Sequence, residues 1–344
     1  MSEMDEVIEE GPRGLEIQAA VLHVLDGRHH NISFSERTLD LEEPMTEKYV
    51  KRYVRRCAND MRLREGRFLP ESVFATEMER YFQRDTDFCA FTAAVCARLA
   101  SYFDEEEARS FEVLCTDYRD DDVPYVSVIL LEETETMTYM TDAENGVIRN
   151  TLSFGHSALP AVSRSVASFA VVNMITKDVR FADEGKWESG KELVKEVLLQ
   201  AEAGISRKEA VKSVTEIACE VAEEFDENPT MLVSKVKSYI AETAGEGMPL
   251  NAKTLVSEVF EEKPQMAEAF LKKAEEKTIP HEVELPKASV SMSMKKQKIR
   301  TDTGIEISFP VEYCQDGRYI EFINNPDGTI TIEIREIGKI TNRM

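Results

Sequence analysis

Apolar and polar residues alternate along the last fifth of this 344-residue chain. A period of two places one face of a strand in a core and the other in water, as in antiparallel sheets. The alternating apolar residues are Ile305, Ile307, Phe309, Val311, Ile320, Phe322, Ile330, Ile332 and Ile334. The run Asn325-Pro326-Asp327-Gly328 is turn chemistry, because proline presets φ and glycine accepts a positive φ. These residues predict antiparallel β-hairpins within 296–340.

The same region resembles a known family. Residues 298–311 read KIRTDTGIEISFPV, and residues 319–340 read YIEFINNPDGTITIEIREIGKI. Together with AVLHVLD at 20–26, FSE and LDL at 34–41 and the helical stretch 206–225, they resemble, in this order, bacterial nucleoid-associated proteins of the NdpA family. The resemblance implies association with the bacterial chromosome in the cytoplasmic nucleoid. The family is defined by that association and not by a reaction, so it implies no catalytic residue.

Composition is that of a soluble globular protein, with 42% hydrophobic and 31% charged residues. No apolar run approaches the ~18 residues that a membrane helix needs, and the acidic start of the chain is unlike the basic start of a signal peptide.

The six cysteines form no C-x-x-C pair, which favours buried free thiols over a zinc site or a disulfide framework.

The pattern along the chain predicts an α+β protein of two domains. Residues 1–14 are expected to be an acidic flexible tail. Residues 15–185 mix helices with strands, beginning with a strand at 15–25 that is buried on both faces. Residues 186–344 combine helices within 191–276 with the closing hairpins at 296–340. Ser206 with Glu209 forms a capping-box pattern, and Asn228-Pro229 is a strong helix start.

The net charge of −23 conflicts with direct DNA binding unless positive charge is gathered into patches. Residues 44–67 hold eight basic and three acidic side chains, a local net charge of +5. Residues 287–303 hold five basic and one acidic, a local net charge of +4. Charge is therefore partitioned along the chain.

The first basic segment is predicted to be an amphipathic helix over 47–63. One side carries the apolar residues Val50, Tyr53, Val54, Cys57 and Met61. The opposite side carries Lys48, Lys51, Arg52, Arg55, Arg56 and Arg62. Like charges at i,i+4 repel, so such a face indicates an anionic partner such as DNA. Salt bridges to the acidic body of this protein and plain solvation are the alternatives.

The second basic segment is predicted to be a flexible arm that contacts phosphates without reading bases. Its cations are Lys287, Lys295, Lys296, Lys298 and Arg300. A solubilising linker is the alternative. Neither segment is interleaved with aromatic residues, and no zinc finger, RNP motif or helix-turn-helix is evident, so base-specific reading is not expected.

The carboxylates and histidines predict no catalytic or metal site and no cofactor. Contiguous acidic residues at 104–107 and 120–122 cannot all face one ion, and their spacing fits no calcium loop. His23 lies inside an apolar strand, where a satisfied core histidine is expected. The sequence contains no Walker loop, G-x-G-x-x-G or G-x-S-x-G motif.

Three functions follow. The first is non-enzymatic, non-sequence-specific binding to double-stranded DNA of the nucleoid through the two basic segments. The second is an acidic adaptor that docks on chromosome-bound proteins and does not bind DNA itself. A nuclease acting through the carboxylates is a distant third. Self-association through sheet edges near the C-terminus is left open.

Overall fold

The computed structural model describes residues 14–27, 31–106, 110–132, 134–144, 147–161, 165–184, 191–261, 263–287, 294, 296–314, 318–325 and 329–339. The chain divides into two compact units: Met1–Asn59 with Leu63–Gly204, and Asp60–Arg62 with Ile205–Met344. The first unit includes a π-helical segment and most of a strand that the sequence places in the C-terminal domain. The domain limits predicted from the sequence stay a prediction.

The first unit is built on a sheet flanked by helices. Its helices are α1 Pro44–Ala58, α2 Val73–Phe82, α3 Phe88–Glu106 and a π-helical segment Leu193–Leu199. Its strands are β1 Glu16–Asp26, β2 Asn31–Ser33, β3 Arg64–Phe68, β4 Ser110–Asp120, β5 Val123–Glu132, β6 Thr134–Glu144, β7 Val147–Ala158, β8 Ser168–Asn173, β9 Asp178–Asp183 and β10 Ala201–Ser206, which ends in the second unit.

Eight of these strands form one sheet in the order β10-β3-β9-β8-β5-β4-β1-β2. Every pairing in it with a described register is antiparallel. Residues that alternate along β4 enter two different cores: Val113 and Cys115 pack with α2 and α3, whereas Leu114 and Tyr118 pack with α1. The sheet is therefore buried on both faces, as the apolar run at 15–25 predicts.

The second unit contains a helical core and two small hairpins. Its helices are α4 Arg207–Glu224, α5 Pro229–Glu246, α6 Ala252–Val259 and α7 Pro264–Glu276, followed by a 3-10 turn Val311–Cys314. Its strands are β11 Leu250–Asn251, β12 Glu282–Val283, β13 Lys296–Arg300, β14 Glu306–Pro310, β15 Ile320–Asn324 and β16 Ile330–Ile334. The pairs β13–β14 and β15–β16 are antiparallel.

The α+β fold is confirmed, and so are the local signals that predicted its second unit. Ser206 accepts from the backbone N–H of Glu209 while the Glu209 side chain accepts from that of Ser206, which completes the capping box. Asn228 caps α5 ahead of Pro229. The alternation of apolar residues predicts Val311 in a strand, whereas the structure buries it in the 3-10 turn.

Strands β3 and β10 approach each other closely at Gly66. A Cβ at this position would overlap the backbone carbonyl of Glu202 on β10. We expect Gly66→Ala to lower the free energy of unfolding by about 1–3 kcal/mol or more, because backbone must move. Gly204 on β10 has open space around its Cα, so Gly204→Ala is the control and should change stability by about 0.5 kcal/mol or less. Urea unfolding of both variants measures the difference, and equal stabilities would contradict the contact.

Candidate nucleic-acid interface

Helix α1 is anchored by its apolar side and ends earlier than predicted. Val50, Tyr53, Val54 and Cys57 are fully buried, as the sequence predicts. The predicted continuation to Leu63 is wrong, because α1 ends at Ala58 with Asn59 as its C-cap. The Asn59 side chain donates to the carbonyl of Arg55 at 2.8 Å. Such side chains compete with the helical backbone and favour an end here.

The end of α1 at Ala58 removes Met61 and Arg62 from the helix. Both belong to the second unit, where Met61 packs against the helical core. Arg62 pairs with Asp60 through Nη2 at 2.7 Å and Nε at 3.0 Å, and both side chains are largely buried. Its charge is thus matched locally by a carboxylate.

The five cations on α1 itself occupy different environments. Lys48 and Arg52 are exposed, lie one turn apart, and have no ion pair among the described residues. Lys51 pairs with Glu47 at 2.6 Å. Internal salt bridging, an alternative that the sequence left open, therefore applies to Lys51, while Lys48 and Arg52 remain available to an anionic partner.

Arg55 and Arg56 are half-buried, and the charge of Arg55 acts on Asp120 of the first unit. The Nε of Arg55 is buried without a hydrogen-bond partner among the described residues. Burial raises the pKa of Asp120, and the charges of Arg180 and Arg55 oppose this rise. Arg55 and Arg56 also lie in the last turn of α1, where positive charge stabilises a helix C-terminus.

The C-terminal hairpin β13–β14 presents the clearest row of cations. Lys296, Lys298 and Arg300 occupy alternate positions of β13, and all three are exposed. Alternate residues of a strand point to one side and lie about 6.8 Å apart. Between them, Gln297 is buried and accepts from Nζ of Lys237 at 2.6 Å, while Ile299 packs in the hairpin core.

These contacts correct the prediction of a flexible arm for part of this segment. Residues 296–300 form a strand that pairs with β14. Their period of two places Gln297 and Ile299 on one side and the three cations on the other. Lys296 and Lys298 have no ion pair among the described residues, and Arg300 lies 3.9 Å from Glu306 with both side chains exposed. Lys287 is exposed. Lys295 lies outside the described residues.

The acidic run at 120–122 forms the turn between β4 and β5. Asp120 pairs in register with Val123, and Asp121 and Asp122 adopt positive φ values of 46° and 67°. Positive φ at both central residues is typical of a two-residue hairpin turn, which aspartate tolerates. The side chains of the run at 104–107 lie outside the described residues.

Asp117, close to that turn in sequence, has a structural partner. Its Oδ2 accepts a hydrogen bond from the Tyr81 hydroxyl at 2.6 Å. Burial raises the pKa of this carboxyl. The pair joins α2 to the sheet.

His23, Cys96 and Cys115 gather ligand-type atoms within 4.8 Å of one another in the buried core. The backbone N–H of Ser35 donates to Nδ1 of His23 at 3.0 Å, so the neutral ring carries its proton on Nε2, which faces Thr92 Oγ1 at 2.9 Å. A metal-ligating histidine instead donates from its second nitrogen. Burial also raises the pKa of the Cys115 thiol, which opposes the thiolate a metal needs. The three side chains are therefore core residues and not metal ligands, as expected for His23.

Comparison with known families agrees with the motifs. The sequence profile of the family described as nucleoid-associated protein YejK matches residues 21–342. The chain belongs to this family. No curated protein matches the chain. Among the described helices, none combines the length and the hydropathy of a membrane span. The resemblance drawn from the motifs is confirmed, and the family places the chain among nucleoid-associated proteins without assigning a role to any residue.

The environment of His23 predicts a pH dependence of stability. Burial lowers the pKa of His23 from 6.5 to about 4. Between these values the unfolded chain binds a proton that the folded chain excludes, so the free energy of unfolding falls as the pH is lowered. Once the pH is below the lowered pKa, the loss in the free energy of unfolding that is due to His23 reaches about 3 kcal/mol. NMR titration of the ring protons measures the pKa directly, and a His23 that titrates near 6.5 in the folded protein would contradict its burial as a neutral side chain.

Proposed function

We propose that this chain binds double-stranded DNA of the nucleoid through the phosphate backbone, without reading base sequence and without catalysis. The observation that supports it most is the row of Lys296, Lys298 and Arg300 on one side of β13, held by a buried opposite side. A two-stranded ribbon of this kind fits a DNA groove. Preorganised cations also lose less conformational entropy on binding than a disordered arm.

Lys48 and Arg52 on α1 form a second contact in the same proposal. Both side chains are exposed, and the acidic remainder of the molecule limits non-specific adhesion to anionic surfaces. Lys51 and Arg62 contribute less, because Glu47 and Asp60 already balance their charges. Family membership supports the nucleoid, and hence the cytoplasm, as the place where this binding occurs.

The β13 row is tested by the salt dependence of DNA affinity. Each phosphate contact contributes a slope of about −0.9 to log K against log salt, so the triple variant Lys296→Gln, Lys298→Gln and Arg300→Gln should flatten the slope by up to about 2.7. Fluorescence anisotropy with two unrelated duplexes measures the slope and the lack of sequence preference.

The triple variant has a matched control. Lys263, Lys273 and Lys277 are all paired with glutamates of α4 or its C-terminal end. Changing these three to glutamine alters the net charge equally but removes no free cation, so the slope should stay close to that of the unaltered protein. Equal slopes for the two triple variants would refute the role of β13.

A pair of double variants tests helix α1. Lys48→Gln with Arg52→Gln removes the two exposed cations, which should flatten the salt slope by up to about 1.8. Lys51→Gln with Arg62→Gln removes the two cations that are paired with Glu47 and Asp60, so a smaller change is expected. The same anisotropy assay measures both, and an equal effect of the two double variants would contradict a specific role of Lys48 and Arg52.

The adaptor remains the second candidate, favoured by the net charge of −23. An acidic surface would steer the protein toward a basic, chromosome-bound partner. Affinity capture from lysate before and after complete nuclease digestion separates the two functions. Partners that survive digestion, together with a flat salt response of the purified protein toward DNA, would favour the adaptor over direct binding.

A further inference from the structure

Strand β16 lies at the open edge of a small sheet, and its register shows which backbone groups face outward. Among the described strands, this sheet contains β15 and β16 alone. The backbone N–H of Arg335 donates to the carbonyl of Tyr319 at 2.8 Å. Bonded and non-bonded positions alternate along an antiparallel pair, so the odd-numbered residues of β16 bond to β15. The backbone groups of Ile330, Ile332 and Ile334 therefore point away from β15, toward no other described strand.

The side of β16 that faces the hairpin core is only partly covered. Ile320 and Ile334 are partners in register, yet Ile320 is 2% exposed and Ile334 is 49% exposed. Ile330 is 57% exposed, whereas Ile332 packs in the core with its partner Phe322. The core thus covers β15 and ends at β16. A further strand beside β16 would cover Ile330 and Ile334, because side chains of neighbouring strands meet on the same side of a sheet.

We propose that β16 accepts an extended segment of another protein as an added strand, with apolar side chains toward the core and cationic side chains toward water. Main-chain hydrogen bonds to a sheet edge supply the affinity of such pairing, and alternate side chains supply its selectivity. Proteins usually block an apolar edge with lysine, proline or a bulge. Strand β16 contains neither lysine nor proline, and its register with β15 is unbroken.

Charge favours a cationic partner over a second copy of the chain. On the outer side of the sheet, Glu321 and Glu333 share the guanidinium of Arg335, so two carboxylates and one cation leave a net charge of −1. A lysine or arginine opposite Glu333 on the added strand is favourable there, whereas a carboxylate is repelled. The net charge of −23 steers the whole molecule toward the same class of partner and away from its own copies.

This docking is separate from DNA binding, because the cations proposed to bind DNA lie on β13, in a different two-stranded sheet. The probe is a synthetic peptide of about seven residues that alternates lysine with valine, long enough to pair with the whole of β16. Fluorescence anisotropy with the full chain, without DNA, measures its affinity. A peptide with glutamate in place of lysine should bind at least about 3-fold more weakly. Equal affinities, or no binding of the lysine peptide at about 1 mM, would overturn the inference.

Amide hydrogen exchange at residue resolution shows where the peptide binds. In the free chain the amides of Ile330, Ile332 and Ile334 should exchange fast, and those of Thr331 and Glu333, which bond to β15, should exchange slowly. The lysine peptide should slow the first three by at least about 10-fold. A peptide held by net charge alone would leave them unchanged and contradict the added strand. Slow exchange in the free chain would assign the edge to a strand already bound there, such as that of a second copy, and would also contradict it.

A proline variant closes the edge while keeping the hairpin. Ile334→Pro removes an outward N–H and places the proline ring at the edge, whereas the bonds to β15 come from the odd-numbered residues. The affinity for the lysine peptide should fall by at least about 10-fold. An unchanged affinity of a variant with an unchanged circular dichroism spectrum would overturn the inference.

A double variant tests the apolar row without changing the backbone. Ile330→Thr with Ile334→Thr keeps strand propensity but removes apolar surface, so the affinity for the lysine peptide should fall by about 5-fold or more. Ile175→Thr with Ile305→Thr is the matched control, because these isoleucines are 61% and 59% exposed and lie outside β16. The control should bind the peptide like the unaltered chain, and equal affinities of the two double variants would refute the role of β16.

Discussion

Burial of the main sheet on both faces is the constraint on which the first unit depends. Strand β5 is buried at seven of its ten residues, so a polar group that is buried beside it is costly unless it forms a hydrogen bond. Thr116 and Ser127 meet at 2.6 Å across β4 and β5, and His23 bonds through both ring nitrogens. His23, Thr116 and Ser127 are thereby held by hydrogen bonds within this unit.

Surface charge follows a second constraint, because carboxylates form ion pairs with some of the surface cations. On the outer side of β15–β16, Glu321 and Glu333 face each other, and Arg335 contacts both. Without that guanidinium the two carboxylates would repel. Strand β13 differs, since its register places Lys296 and Lys298 opposite Pro310 and Ser308 instead of acids. Lys296 and Lys298 therefore face no carboxylate across the hairpin, in spite of the overall negative charge.

Elements with strong local signals could be predicted from the sequence. The start of α5 follows from Asn228-Pro229, and the start of α4 follows from the Ser206–Glu209 capping box, because each satisfies backbone donors within one helical turn. The end of α1 could not be predicted, since it depends on whether Asn59 and Asp60 bond to the backbone or leave the helix to continue. The sequence assigns 296–300 both to the closing hairpins and to a flexible arm, because the intervening Gln297 is polar. Its contact with Lys237 explains its burial in the strand.

The sequence by itself determined family membership, the α+β class, the buried strands and the partition of charge, because each depends on motifs and residue patterns within short segments of the chain. Tertiary structure alone decided which cations are available. Lys51 and Arg62 pair with carboxylates four and two residues away, which local spacing allows, but Arg64 pairs with Glu192, 128 residues away along the chain. The physical reason is that Coulomb interaction depends on distance in space and on local burial, and neither can be read from the spacing of residues along the chain.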